Sequence, residues 1–280
     1  MNINVQNEYG KLKKVLVSGV PFCPQMKGIE GQKNKDITGG LAQLRQIFKS
    51  NGIDVLDVNL LKAYGKHFSF LRDPFFVVGD KMFIVQHKDQ GKIQKAKQEI
   101  FKQLKLGSKD NVVLFNHEKN TIEGGDVIVH NDTVYVGQGG FASNEVGASF
   151  LNEHVDDKFK IVPMKMLEDI DGLPIRHLDC VFNPLSETEA LMYPKGLTRR
   201  AQNEVLNSFN VIEVTGDEQR YLGTNVVSLG NRHLVSQARH ERINKKLEDN
   251  GFQVSTVDFG NTASFGGALR CATCPVEREK

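Results

Sequence analysis

Four stretches decide the fold: Asp73–Gln86 (DPFFVVGDKMFIVQ), Asp126–Gly137 (DVIVHNDTVYVG), Asp179–Tyr193 (DCVFNPLSETEALMY) and Asn225–Gln237 (NVVSLGNRHLVSQ). Each is an apolar, β-branched or aromatic run, a turn, and a second such run, the pattern of a β-hairpin. The expected turns are Gly79-Asp80, Asn131-Asp132 and Gly230-Asn231, with a longer one at Pro184–Glu189. A polar, helix-compatible segment and a short strand follow each hairpin. Those strands are Val112–Phe115, Lys160–Pro163, Val211–Val214 and Val254–Val257. The N-terminal stretch gives a reduced version: strand Leu12–Ser18, helix Leu41–Asn51, strand Val55–Val58. The sequence thus holds five β-β-α-β-like units, the first degenerate.

Asp73, Asp126 and Asp179 are each 53 residues apart, and Asn225 follows 46 residues later. Units of this kind cannot bury their apolar strands alone and must pack on one another. Five of them closing into a ring is the economical arrangement. The first strand of each unit then lies near the axis, and its opening residue points into a shared central cavity.

Composition fits a chain with a real core and excludes several classes. The 280 residues are 39% apolar and 25% charged, with formal net charge +2 and both signs mixed along the chain. This gives no reason to expect nucleic acid or an acidic membrane as partner. No apolar run approaches the ~20 residues that span a bilayer. The polar start MNINVQNEYGKLKK is unlike a signal peptide. The cysteines are Cys23, Cys180, Cys271 and Cys274, without the regular spacing of a disulfide framework. The expected setting is a reducing cytoplasm with free thiols.

The residues with chemistry cluster in four segments: Arg72-Asp73-Pro74, Glu123-Gly124-Gly125-Asp126, His177-Leu178-Asp179 and Gly266-Gly267-Ala268-Leu269-Arg270-Cys271. A thiol, an imidazole and several carboxylates are the parts of covalent catalysis. Zinc at Cys271 and Cys274 would need two further soft ligands, and Cys23 and Cys180 are not paired in spacing. Cys274 is expected to be a partly buried spectator and Cys180 to pack in the core. The histidines outside His177 have no motif around them and are expected to be structural.

These segments resemble those of the guanidino-group-modifying enzymes, the pentein superfamily, which includes arginine deiminases, dimethylarginine dimethylaminohydrolases and amidinotransferases. The resemblance runs from NEYGKLKKVLV to CATCPVERE. The Gly-rich stretch with Cys-x-Thr-Cys-Pro is its most specific part. It implies an α/β fold, a five-bladed pseudo-symmetric propeller of ββαβ units around a central active-site cavity. It also implies one catalytic domain over residues 1–280, with no helical insertion. By position, Cys271 would be the nucleophile and His177 the general acid and base. Glu123 would orient the imidazole or the guanidinium. Asp73 and Asp179 would grip the guanidinium, with Asp126 beside them as support. A guanidinium is planar and always charged, and carboxylates match its fork of donors. No cofactor or metal is implied. The expected partner is a small guanidino compound, and a homo-oligomer is left open.

The expected reaction is guanidine hydrolysis of the deiminase or dihydrolase type, with an amidinotransferase as the alternative and a non-catalytic binding protein as the third reading. The stretch Gly137–Asn144 carries no basic residue to hold a substrate carboxylate. Arg199, Arg220 or Arg239 would have to supply one, or the substrate is not free arginine.

Overall fold

The computed structural model describes residues 2–18, 29–59, 70–85, 101–104, 111–115, 121–139, 142–167, 169–170, 173–260 and 267–279. Among the described residues, all strands but those of one two-stranded ribbon fall into five three-stranded sheets of one plan. Blade 2 contains β3 (Phe75–Val78), β4 (Lys81–Val85) and β5 (Val112–Phe115). Blade 3 contains β6 (Val127–His130), β7 (Thr133–Gln138) and β8 (Lys160–Lys165). A small ribbon, β9 (Asp169–Ile170) and β10 (Leu173–Pro174), precedes blade 4, which contains β11 (Phe182–Pro184), β12 (Glu189–Met192) and β13 (Asn210–Glu213). Blade 5 contains β14 (Val227–Gly230), β15 (His233–Gln237) and β16 (Gln253–Val257). In each, a hairpin pairs antiparallel and the last strand joins parallel to the middle one. Parallel pairing needs a crossover. Helices α2 (Glu145–His154), α3 (Arg199–Ser208) and α4 (Glu241–Asp249) lie in the crossovers of blades 3, 4 and 5.

Blade 1 explains why the first unit looks degenerate in sequence. Its middle and outer strands are β1 (Leu12–Ser18) and β2 (Asp54–Val58), joined by α1 (Ile29–Ser50). Its inner strand is β17 (Thr273–Arg278), which pairs antiparallel to β1, with Leu12 opposite Arg278. The C-terminal segment therefore supplies the strand that the N-terminal unit lacks, and the chain closes its own ring.

Packing follows from strand alternation. Successive side chains of a strand point to opposite faces. In β3, Phe75 and Val77 pack with Leu16, Val58 and Val276 of blade 1, while Phe76 and Val78 pack with Val127, Val129 and Val134 of blade 3. Ile128 faces the cluster shared by blades 3, 4 and 5. Val227 and Val235 of blade 5 meet Val15 and Val17 of blade 1. Inner strands are thus packed on both faces by neighbouring blades, which is why β3 and most of β6 read as apolar runs without polar alternation. Burying a side chain such as Phe75, at 0% exposure, stabilises by roughly 1.5–3 kcal/mol.

Two local expectations need correction. The third two-residue turn is Asn231-Arg232, one position later than expected, since Gly230 pairs with His233. A bulge between Ser228 and Gly230 inserts the extra residue. Asn231 and Arg232 both take positive φ, 52° and 59°, as a mirror-image hairpin turn requires. Helix α1 begins at Ile29, well before Leu41, and runs through Gly39-Gly40. At Gly40 an added Cβ would sit 2.1 Å from the Phe259 ring, so a bare backbone is what lets the helix approach it. Among the described residues no helix is long and apolar enough to cross a membrane.

Candidate active site

The opening residue of each inner strand lies one to three positions ahead of it: Asp73 before β3, Asp126 before β6, Asp179 before β11, Asn225 before β14 and Cys271 before β17. Hydrogen bonds join these segments into a closed girdle. The Arg72 amide donates to the Cys271 carbonyl (3.0 Å), and the Gly124 amide to the Asp73 carbonyl (3.1 Å). The Leu178 amide donates to Asp126 Oδ1 at 2.8 Å. Thr224 Oγ1 donates to the Asp179 carbonyl at 3.2 Å. Asn225 Oδ1 then accepts the amides of Arg270 (2.8 Å) and Cys271 (3.2 Å).

Inside the girdle, His177 Nε2 lies 2.8 Å from Glu123 Oε2 and Nδ1 lies 3.7 Å from Asp73 Oδ1. The His177 imidazole has its pKa raised well above the ordinary range. Burial opposes this, but Asp73, the Glu123 hydrogen bond, Asp126 and Asp179 outweigh it. His177 is therefore an imidazolium surrounded by carboxylates. The Asp73 carboxyl is raised to about 7, first by desolvation and then by repulsion from Glu123, Asp179 and Asp126, against the attraction of His177. Asp126 is raised to about 6, again mainly by burial. Its Oδ1 is committed to the Leu178 amide, so it holds the His177-Leu178 backbone in place. Asp73 and Glu123 are the more open members, with side chains 29% and 39% exposed.

The glycines of the Glu123 segment have a packing reason. A Cβ at Gly125 would lie 2.7 Å from His177 Cγ, and one at Gly124 would lie 2.1 Å from the Arg72 carbonyl. Only bare backbone lets the imidazole lie against this turn.

Cys271 is buried, with its Sγ 4.0 Å from Asp179 Oδ2. Asn225 Nδ2 donates to that sulfur at 3.2 Å. Asn225 is the residue sequence reasoning missed, although its place at the head of the fourth hairpin was the available signal. Cys180 packs in the core as expected. Its Sγ also lies 3.6 Å from Asp179 Oδ1, and Cys271 is the first cause that raises the Cys180 thiol. Cys274 faces the apolar cluster of blades 1 and 2, where burial raises its thiol to about 12.

Beneath the girdle lies a buried ionic cluster absent from the sequence reading. Glu8 Oε2 is 3.1 Å from Arg270 Nη1, and Glu8 Oε1 is 3.6 Å from Arg72 Nη1. Arg270 also reaches Asp179 Oδ2 (3.5 Å) and Asn183 Oδ1 (3.1 Å). Arg72 and Arg270 thus point away from the open edge. Of the arginines considered for a substrate carboxylate, Arg239 stacks 4.1 Å over Tyr221, Arg220 lies 3.9 Å from Asp217, and Arg199 is exposed at the start of α3.

Two groups of ligand-type atoms lie within 4.8 Å of one another: Asp73, Glu123 and His177, and His177, Asp179 and Cys180. Both use His177, whose Nε2 is already engaged by Glu123. His154, His233 and His240 bond Phe150, Ser255 and Tyr221 respectively. Gly266, Cys23, His67, His87 and His117 lie outside the described residues.

Residues 32–278 match the family described as "N,N dimethylarginine dimethylhydrolase, eukaryotic". The chain belongs to this family. It is thereby a member of the pentein superfamily of guanidino-modifying enzymes. The uncharacterized protein YkgA of Bacillus subtilis (strain 168) is 29% identical over 98% of this chain and 94% of its own. Among solved structures, SxtG, an amidinotransferase of Microseira wollei, superposes with a TM-score of 0.80 at 16% identity, covering 99% of this chain and 98% of that one. The N-terminal domain of ArgZ, an arginine dihydrolase of cyanobacteria, gives 0.75 at 20% identity, covering 96% and 98%. The dimethylarginine dimethylhydrolase family, with these likenesses, accounts for the five-bladed α/β propeller read from the repeats.

Proposed function

We propose that the protein is a guanidine hydrolase, of deiminase or dihydrolase type, acting on arginine or a related guanidino compound through a covalent intermediate on Cys271. The observation that carries this reading is the position of Asp179. Its carboxylate lies within reach of both the Cys271 sulfur and His177. A guanidinium bridging Asp179 and Asp73 would present its carbon to the thiol and its departing nitrogen to the imidazolium. The family match supports hydrolysis.

In this reading the Cys271 sulfur forms a bond to the guanidinium carbon. The resulting tetrahedral adduct breaks a C–N bond as His177 gives its proton to the departing amine. An amidino-thioether remains on Cys271. The neutral imidazole then takes a proton from water, the hydroxide adds to the same carbon, and the C–S bond breaks to release a ureido product. Asp73, Glu123 and Asp179 keep the guanidinium plane fixed through charge-assisted hydrogen bonds. Asn225 positions the sulfur, and Asp126 positions the imidazole.

The test incubates the protein with arginine, agmatine, methylarginines and guanidino acids, with and without glycine, and reads products by mass spectrometry. A ureido product or ammonia independent of glycine supports hydrolysis. Ornithine with a new guanidino compound and no ureido product would overturn hydrolysis in favour of amidino transfer. Failure of a chloroacetamidine to label Cys271 would overturn the guanidinium-directed reading altogether.

A further inference from the structure

We propose that Cys180 is a resolving thiol for Cys271, so that hydrogen peroxide turns the site off reversibly through a Cys180–Cys271 disulfide. Three observations point to it. First, the two sulfurs flank one carboxylate: Cys180 Sγ is 3.6 Å from Asp179 Oδ1 and Cys271 Sγ is 4.0 Å from Asp179 Oδ2. Second, Cys271 is the largest influence raising the Cys180 thiol, ahead of burial, so the two thiols are near enough to act on one another. Third, neighbouring side chains fix both backbones. Thr224 Oγ1 donates to the Cys180 carbonyl at 2.6 Å. Asn225 Oδ1 accepts the Cys271 amide at 3.2 Å, and its Nδ2 donates to the Asp179 carbonyl at 3.5 Å. Closing an S–S bond there asks for side-chain rotation within a frame that is already tied.

The chemistry balances with peroxide as the named oxidant. The Cys271 thiolate attacks one peroxide oxygen and the O–O bond breaks; the departing hydroxide takes up the proton the thiol released, giving a sulfenic acid at Cys271 and water. The Cys180 sulfur then attacks Cys271 Sγ, its proton passing to Asp179 Oδ1, while the sulfenic oxygen leaves as water with a proton from His177. Two thiols and one peroxide become one disulfide and two waters. The two sulfurs together lose two electrons and the peroxide gains them. An external dithiol reverses it by exchange. Burial beside Asp179 and Cys271 raises the Cys180 thiol well above its ordinary range. It therefore stays protonated, leaving Cys271 as the site of first attack.

The consequence for turnover rests on Cys271 being the nucleophile; the cross-link itself does not. The test treats the whole protein with hydrogen peroxide, alkylates remaining thiols, and reads intact mass and tryptic peptides. A species about 2 Da lighter before alkylation, with one peptide joining Cys180 to Cys271 and restored by dithiothreitol, is expected. Cys180→Ser should remain labelled at Cys271 by chloroacetamidine. Under peroxide it should instead gain about 32 Da at Cys271, a sulfinic acid that dithiothreitol does not remove. Cys274→Ser should form the same cross-link as the parent. A cross-link through Cys274 or Cys23, or direct passage of Cys271 to sulfinic acid in the parent, would overturn the proposal. These readouts need no substrate, so they stand apart from the outcome of the product screen.

Discussion

Replacing Glu8 with Gln tests the frame beneath the site. Glu8 is 2% exposed and faces Arg270 and Arg72. Its carboxyl is lowered from 4.5 to about 2: desolvation pushes it up, but Arg270, Arg72 and Arg278 outweigh that. At about 1.4 kcal/mol per pH unit, the ionised form contributes roughly 3 kcal/mol to folding. Removing one partner of a buried ion pair costs about 3–5 kcal/mol, which agrees. With a urea slope of about 3 kcal/mol per molar, the midpoint of Glu8→Gln should fall by roughly 1 M at pH 7. A depressed folded-state pKa gives stability that is complete above about 4.5 and lost as pH falls through about 2. The gap between parent and variant should therefore hold from pH 7 to about 5 and narrow below 4.5. Equal midpoints at pH 7, or a gap that does not narrow in acid, would refute the assignment. Turnover should suffer as well. Arg270, freed from Glu8, can pair fully with Asp179, now 3.5 Å away, and take that carboxylate from the substrate, raising KM.

Asp73→Asn should abolish turnover yet stabilise the fold by on the order of 1 kcal/mol in urea melts at pH 8. Its raised pKa means that the stability of the protonated form is complete below the ordinary carboxylate value and lost as pH rises through about 7. A destabilised Asp73→Asn would contradict this. Guanidinium binding to Cys271→Ser should lower the Asp73 pKa and release about half a proton at pH 7, read as a buffer-dependent heat in calorimetry; no buffer dependence would contradict it. Gly125→Ala should cost about 1–3 kcal/mol and at least about tenfold in kcat, since its Cβ would lie 2.7 Å from the His177 ring. Cys271→Ser should abolish turnover while Cys274→Ser keeps most of it, and equal losses would mean the pair is misassigned.

Much of the ring was readable because hairpins are local. The register of β3 with β4 and of β6 with β7 is set by a two-residue turn flanked by apolar strands. What escaped are contacts between the chain ends. Leu12 opposite Arg278, and Glu8 against Arg270, leave no period or motif in the sequence. Glu8 reads there as one polar residue in a polar stretch. Cys180, beside Val181 and Phe182, reads as core and is core; what the sequence does not show is that Cys271, 91 residues later (180 to 271), arrives near its thiol.

The closing strand also changes what kind of residue Cys271 is. In sequence it trails the last repeat. In the structure it opens the inner strand of blade 1, as Asp73, Asp126, Asp179 and Asn225 open theirs. One backbone position, repeated around an axis, carries acid, acid, acid, amide and thiol. Each side chain is delivered by the same local geometry, a turn entering a strand, and each residue is tied to a neighbouring segment by a hydrogen bond, through the side chain at Asp126 and Asn225 and through the backbone carbonyl at Asp73, Asp179 and Cys271. The nucleophile therefore needs no special scaffold. Because ring closure depends on pairing the two ends of the chain, the thiol reaches its carboxylates only when β17 docks on β1. A free terminal segment would carry an isolated cysteine, and the folded ring converts it into one member of a site.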